Sequence, residues 1–293
     1  MNTNFYNEIA IDTLENSANA YTQKRNMEFI EKTVTNIKTE QTAKELDKPK
    51  GVYVTFDVKK SFLTESDKKF LVKAIGNAIK EMSLYSGGVK KNILVGGLGN
   101  GGLVADCFGP KVSERVTVTR SKIQNGYGGR YLKSLAAIAP NVYGVTGVES
   151  FDVVKGIVGQ IKPDMVIAID TLCTSKVSRI GKSFQLSTAG IEPASGVGGG
   201  RTGLSFSTLK VPTLAIGVPL VAKLDKVIFR TVSSYDEKRG ETFNAAKYAE
   251  TLVENNLPSL IIAPKEIDCL VDFTADIVAS AINFAAFGES AIA

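Results

Sequence analysis

Two aspartates stand where chemistry is most readily done. Asp106 closes the stretch "VGGLGNGGLVADCFGP" (95–110), in which five glycines precede it, and Asp170 ends the apolar run "DMVIAID" (164–170). A carboxyl at the carboxyl end of a buried strand faces the crevice in which open α/β sheets place their functional groups. Two such groups sharing one crevice do not ionise together easily, so one stays protonated as an acid while the other activates water. Their titration would belong to the pair. Each also has a plainer reading. Asp106 would be only the N-cap of a helix starting near Gly109-Pro110, whereas the chemical reading has that helix's dipole and free N–H groups favour the ionised form that a general base requires. Asp170 would be a structural cap of the loop that follows it.

Other chemistries are narrowed by an absence. The 293 residues include no histidine, which removes Ser-His-Asp triads, Cys-His dyads and histidine-ligated zinc. Cys107, Cys173 and Cys269 show no metal-ligand spacing and read as reduced, buried thiols. Cys107 beside Asp106 and Cys173 just beyond Asp170 invite a thiol nucleophile, but no imidazole is present to make the thiolate. Lys111 and Lys176 are available as bases for Ser113 or Thr171, although helix-surface lysines are ordinarily solvated. Gly97, Gly99 and Gly102 spell G-x-G-x-x-G between a strand and a helix, the setting of a dinucleotide fingerprint. Against that alternative, the stretch after "ERVTVTR" is basic and polar where an acidic ribose ligand belongs. A carboxylate in the loop also repels a phosphate. A second glycine loop, "STAGIEPASGVGGGRTG" (187–203), lacks a P-loop ending and reads as a lid or a substrate-gripping edge. No metal site and no cofactor is expected.

The elements that must position these groups follow from periodicity. "NILVGGL", "VYGVTGV", "DMVIAID" and "PTLAIGV" are short apolar runs ending in Gly or Asp, the pattern of parallel strands buried on both faces. "GVYVTFDV", "FQLS" and the half-exposed "FIEKTVTNIKTE" read as further strands, and "AKELDKPKG" as a turn-rich link. Ser66 is placed as the cap of a helix running to about Tyr85, and a last helix begins near "PKEIDCLVDF". The expectation is a three-layer α/β sandwich with a mostly parallel sheet, a single domain over 1–293. A net charge of +5 spread among both signs gives no nucleic-acid patch. No run approaches the roughly 18 unbroken apolar residues of a membrane span, and the polar start carries no signal-peptide core, so a cytoplasmic protein is expected.

Taken together, these stretches resemble the germination protease family, endopeptidases that degrade small acid-soluble spore proteins. "VGGLGNGGLVADCFGP" is similar to that family's G-L-G-N loop running into T-P-D-A-L-G-P, and "VTR" follows it. "VYGVTGVES" resembles the motif ending G-I-E-T, "KPDMVIAIDTL" the strand with the second family aspartate, and "STAGIEPASGVGGGRTGLSFSTLKVPTLAIGVPLV" the G-I-x-P-G-S-G-V-G block. "APKEID" recurs near the end. Val104-Ala105 stands where the family has Thr-Pro. The resemblance implies catalytic roles for Asp106 and Asp170. It also implies substrate contacts from Gly99, Asn100, Glu149, Ser187, Gly190, Ser195 and Gly196. A phosphorylase/hydrolase-like fold related to hydrogenase-maturation peptidases is implied, with a homotetramer and a zymogen shedding residues 1–8 near Glu8-Ile9, ahead of a polar segment 9–50. The alternatives are a metal-recognising maturation-type peptidase and, from another class, a nucleotide-binding protein using the Gly97–Gly102 loop.

Overall fold

Short β-branched runs alternate with longer amphipathic stretches, and the chain folds into one mixed sheet covered by helices on both faces. The computed structural model describes residues 7–14, 21–85, 87, 91–127, 133–191, 202–239, 248, 251, 254–255 and 260–291. A short strand β1 (Asn7–Glu8) and one turn of helix α1 (Ile11–Leu14) precede a meander of β2 (Tyr21–Met27), β3 (Ile30–Ile37) and β4 (Gly51–Val58). Helix α2 (Glu40–Leu46) sits inside the meander, and α3 (Glu65–Tyr85) follows it. Then come β5 (Asn92–Gly97), α4 (Phe108–Arg115), α5 (Arg120–Gln124), β6 (Ser134–Ile138), α6 (Tyr143–Thr146), α7 (Ser150–Ile161) and β7 (Met165–Thr174). The chain closes with β8 (Ser183–Ser187), α8 (Phe206–Leu209), β9 (Thr213–Lys223), α9 (Leu224–Arg239), β10 (Ile261–Ile262) and α10 (Ile267–Phe287).

The strand order is β2-β3-β4-β8-β9-β7-β5-β6, with β1 added to β7 and β10 to β9. The α/β class stands, and the sheet is mixed: β9, β7, β5 and β6 run parallel, whereas β2, β3, β4 and β8 pair antiparallel. The two halves differ in how they meet water. β7 and β9 are buried almost throughout, as parallel strands under crossover helices must be. β3 alternates buried and half-buried residues, the mark of an antiparallel strand with one wetter face. Ile167, Ile169, Ile216 and Val218 pack with Leu71 of α3, Val112 of α4 and Val278 of α10 on one face. Val166, Ala168 and Ala215 pack with Val154 and Val158 of α7 and Leu209 of α8 on the other, which completes three layers.

Three local expectations are corrected, and one unassigned stretch is a strand. "VYGVTGV" is not a strand: Tyr143–Thr146 forms one helical turn closed by Gly147 at φ 72, and the strand there is the preceding "SLAAI". The apolar residues Val145 and Val148 are exposed, so hydrophobicity alone misled. The link "AKELDKPKG" begins inside α2, which ends on Asp47 in the left-handed region at φ 49. α3 is capped by Thr64, not Ser66: Thr64 Oγ1 accepts from Asp67 N–H, and the Asp67 carboxylate accepts from Thr64 N–H. The polar stretch at Tyr21–Met27, unassigned from sequence, is the edge strand β2, largely exposed.

α10 is long and apolar enough to cross a membrane by length and composition, and it packs against α3 and α4. Its approach to α3 depends on Gly76, where an added Cβ would stand 2.5 Å from Phe284 Cδ1 and 2.9 Å from the Ala281 carbonyl. Gly76→Ala is therefore expected to destabilise the protein by about 1–3 kcal/mol. That loss would outweigh a helix-propensity gain of about 1 kcal/mol. Urea unfolding measures it, and an unchanged midpoint would mean that the two helices part freely.

Candidate active site

The site is built on a contact between three backbones. β5 ends at Gly97, in register with Ile169 of β7. The next amide, Leu98 N–H, donates to Ile169 O at 2.8 Å. Asp170 is thus the first residue of β7 past the last rung it shares with β5. α4 returns to the same point. A Cβ on Gly109 would stand 2.2 Å from Leu98 O and 2.8 Å from Ile169 O, and one on Gly97 would stand 2.0 Å from Gly109 O. No side chain fits, so glycine is required on both sides of the contact. Gly99 adds the turn: at φ +113 its hypothetical Cβ would lie 2.1 Å from Asp106 O. The loop folds back until Asn100 N–H donates to Asp106 Oδ2 at 2.8 Å, while Asn100 Oδ1 accepts from Gly102 N–H at 2.9 Å.

These glycines therefore serve close approach, and the amide that a nucleotide phosphate would need is taken by Asp106. The N-cap reading is also corrected. Asp106 closes a 3-10 turn (Val104–Asp106), the capping position of α4 is Cys107, and no side chain caps it. Its environment likewise reverses the expected effect of the dipole. Burial pushes the Asp106 carboxyl from its ordinary 3.8 up to about 6, against the Asn100 N–H bond that pulls it down.

Asp170 is half-buried and accepts from Thr171 N–H at 2.9 Å. Across the sheet it faces Gly217 of β9. Gly217 and Leu172 line a cavity with Ser187, Gly190, Glu8 and Ala10, so two of the predicted loop residues gather beside Asp170's strand. Ser187 Oγ accepts from Ala189 N–H at 3.0 Å. Gly190, at φ +84, lies where a Cβ would meet Leu204 O at 2.2 Å. Glu149 stands elsewhere, at the start of α7, and does not line this cavity. Ser195 and Gly196 lie outside the described residues. Sequence reasoning missed Gly109, as well as Ala10, whose N–H donates to Gln185 Oε1 at 2.6 Å from 175 residues away. A glycine at the start of a predicted helix was the one available signal.

The competing nucleophiles are disarmed. Burial pushes the Cys173 thiol up to about 12 and raises that of Cys107, whereas Cys269, expected to be buried as well, is exposed near the start of α10. Lys111 Nζ donates to Asp272 Oδ1 at 2.6 Å, and Ser113 Oγ donates to Ile138 O at 3.2 Å, so the two are not a catalytic couple.

A raised carboxyl pKa makes a prediction about stability. Below about pH 4 Asp106 is protonated in both the folded and the unfolded chain. As pH rises through about 6 the fold must carry the buried charge, and the stability it had at low pH is lost. Asp106→Asn keeps an acceptor for Asn100 N–H without the charge. It should raise unfolding free energy by up to about 3 kcal/mol at pH 8, shrinking to nothing near pH 4. Denaturant titrations at both pH values check this, and a variant less stable at pH 8 would refute it.

The sequence profile of the germination protease family matches residues 6–235. A germination protease of Clostridium acetobutylicum is 31% identical, covering 95% of this chain and 91% of its own. One of Bacillus subtilis is 30% identical, covering 95% and 92%. A solved [NiFe] hydrogenase maturation protease, HycI from Thermococcus kodakarensis, covers 70% of this chain and 98% of its own at 17% identity and a TM-score of 0.36. With a profile spanning most of its length and relatives matched nearly end to end, the chain belongs to the germination protease family of peptidases.

Proposed function

We propose that the protein is an endopeptidase that hydrolyses small acid-soluble spore proteins during germination, with Asp106 and Asp170 as an aspartic pair that activates water. The observation that carries this reading is the placement of Asp106: half-buried, held by one amide and pushed up to about 6. It sits on a loop that the Leu98–Ile169 bond ties to the residue before Asp170. Near neutral pH such a carboxylate is ionised yet more basic than an exposed one, which suits a group that takes a proton from water. Attack of that water on a peptide carbonyl gives a tetrahedral intermediate. As its C–N bond breaks, the leaving nitrogen takes a proton from Asp170, and the proton that Asp106 took from water restores Asp170 for the next turnover. The cavity that Ser187 and Gly190 line beside Asp170's strand gives part of the substrate chain a place to dock. The family likeness further supports a homotetramer in the spore core, made as a precursor processed near Glu8-Ile9, with no resident cofactor.

Incubation of the purified protein with a small acid-soluble spore protein, with and without chelator, tests the reading. Asp106→Asn and Asp170→Asn are each expected to lower kcat by about 100-fold or more, with the folded state intact. Wild-type kcat should fall as pH drops through about 6, where Asp106 takes up its proton. Full activity in either variant would remove the pair, and a flat profile from pH 5 to 8 would remove Asp106 as the base.

A further inference from the structure

Past Ile169, β7 outruns β5. The edge of β7 that β5 leaves uncovered is taken over by the first described residues of the chain: Asn7 and Glu8 lie opposite Leu172 and Cys173, and Ile9 N–H donates to Cys173 O at 2.9 Å. Ile9, Ala10 and Ile11 are almost wholly buried, and Ile9 and Ile11 pack on Leu172. The segment then ends in a buried charge. Asp12, its side chain 5% exposed, accepts through Oδ2 from Thr174 Oγ1 at 2.7 Å, Ser175 N–H at 2.6 Å and Ser175 Oγ at 2.9 Å. Through Oδ1 it pairs with Arg179 Nη1, and Arg179 Nε reaches Asp57 Oδ1 of β4 at 3.5 Å. Ser183 of β8 donates to Asp57, and Arg230 of α9 donates to Ser175 Oγ at 2.8 Å.

A buried carboxylate is tolerated only where its lone pairs are met, and here every partner lies at one sheet edge. The network fastens the end of β7, the loop after it, β4, β8 and α9 to a segment otherwise free to fray from the terminus. We infer that Asp12 is a positioning residue for the peptidase site: it seats Ile9–Asp12 along β7 and thereby fixes the backbone that carries Asp170. The inference rests on Asp170 taking part in the reaction. Asp12's own contacts all lie on the C-terminal side of the Glu8–Ile9 bond, so processing there removes the Asn7–Glu8 pairing with β7 and leaves the clamp itself in place. Asp12 touches neither aspartate of the pair, and its effect reaches the chemistry through β7.

The test uses the full-length chain carrying Asp12→Asn, with Thr174→Ala as a milder variant that removes one bond of the clamp and no charge. Two readouts are taken on each: amide hydrogen exchange over residues 170–175, and the kcat-against-KM split with a spore-protein substrate. The inference expects exchange over 170–175 to quicken at least tenfold while residues 165–169 stay protected, with kcat down about tenfold and KM within twofold. Wild-type protection over 170–175 in a folded variant overturns the clamp. Quickened exchange with unchanged kcat overturns the positioning role. An equal loss of protection across the whole sheet also overturns it, by making Asp12 a general stabiliser. Should the wild type cleave no spore protein, or Asp170→Asn stay fully active, the peptidase reading fails instead, and the exchange data still decide whether the clamp exists.

Discussion

Backbone meets backbone at Leu98, Gly109 and Ile169, and the geometry of the candidate site descends from that contact. Gly97 and Gly109 leave no side chain between β5, β7 and the start of α4. Interiors are packed to near-crystalline density, so a contact of this kind fixes positions to fractions of an ångström. The other ties on α4 are weaker. Lys111 and Arg115 bridge to Asp272, and Arg115 to Asp276, at 2.6 Å each, but all these side chains are partly exposed. Pairs of that sort contribute at most about 1 kcal/mol each, less in salt. They orient α10 against α4. The glycines decide where the aspartate-bearing loop sits.

Asp106 shows the tension between folding and chemistry. Half-buried and given one amide partner, the carboxyl is less comfortable in the fold than in the unfolded chain. Asp12, with burial opposed by bonds from Thr174, Ser175 and Arg179, is held below the ordinary carboxylate range. The same kind of side chain, buried in two places, is pushed toward its protonated form in one and held ionised in the other. The difference lies in the number of donors aimed at it.

Much of this was legible before any coordinates, and the reasons are specific. β5, β7 and β9 are continuous apolar runs because helices cover both their faces, so their residues advertise burial directly. Asp170 stood out because it breaks such a pattern, and Asp106 because it follows five glycines ahead of a helix. Where reading failed, partners distant in sequence decided the outcome. The turn at Tyr143–Thr146 carries valines that stay in solvent. β2, with its charged "YTQKRNM", becomes a strand only through its pairing with β3. The burial of Asp106 could not be inferred from a loop of small residues that, written out, looks open to water. Nor did Asp12, in a polar N-terminal stretch, announce a partner at Arg179.

The change from parallel to antiparallel pairing at β8 bears on how the chain is born. The meander β2-β3-β4 has neighbours close in sequence and can assemble as soon as it leaves the ribosome. Its inner strand, however, waits for β8: Val52 N–H bonds Thr188 Oγ1 across 136 residues. Until that partner is synthesised, β4 presents a bare, β-branched rim of the kind that recruits other chains. Nascent copies thus pass through an interval of vulnerability to mispairing, set by the time taken to translate the chain between β4 and β8.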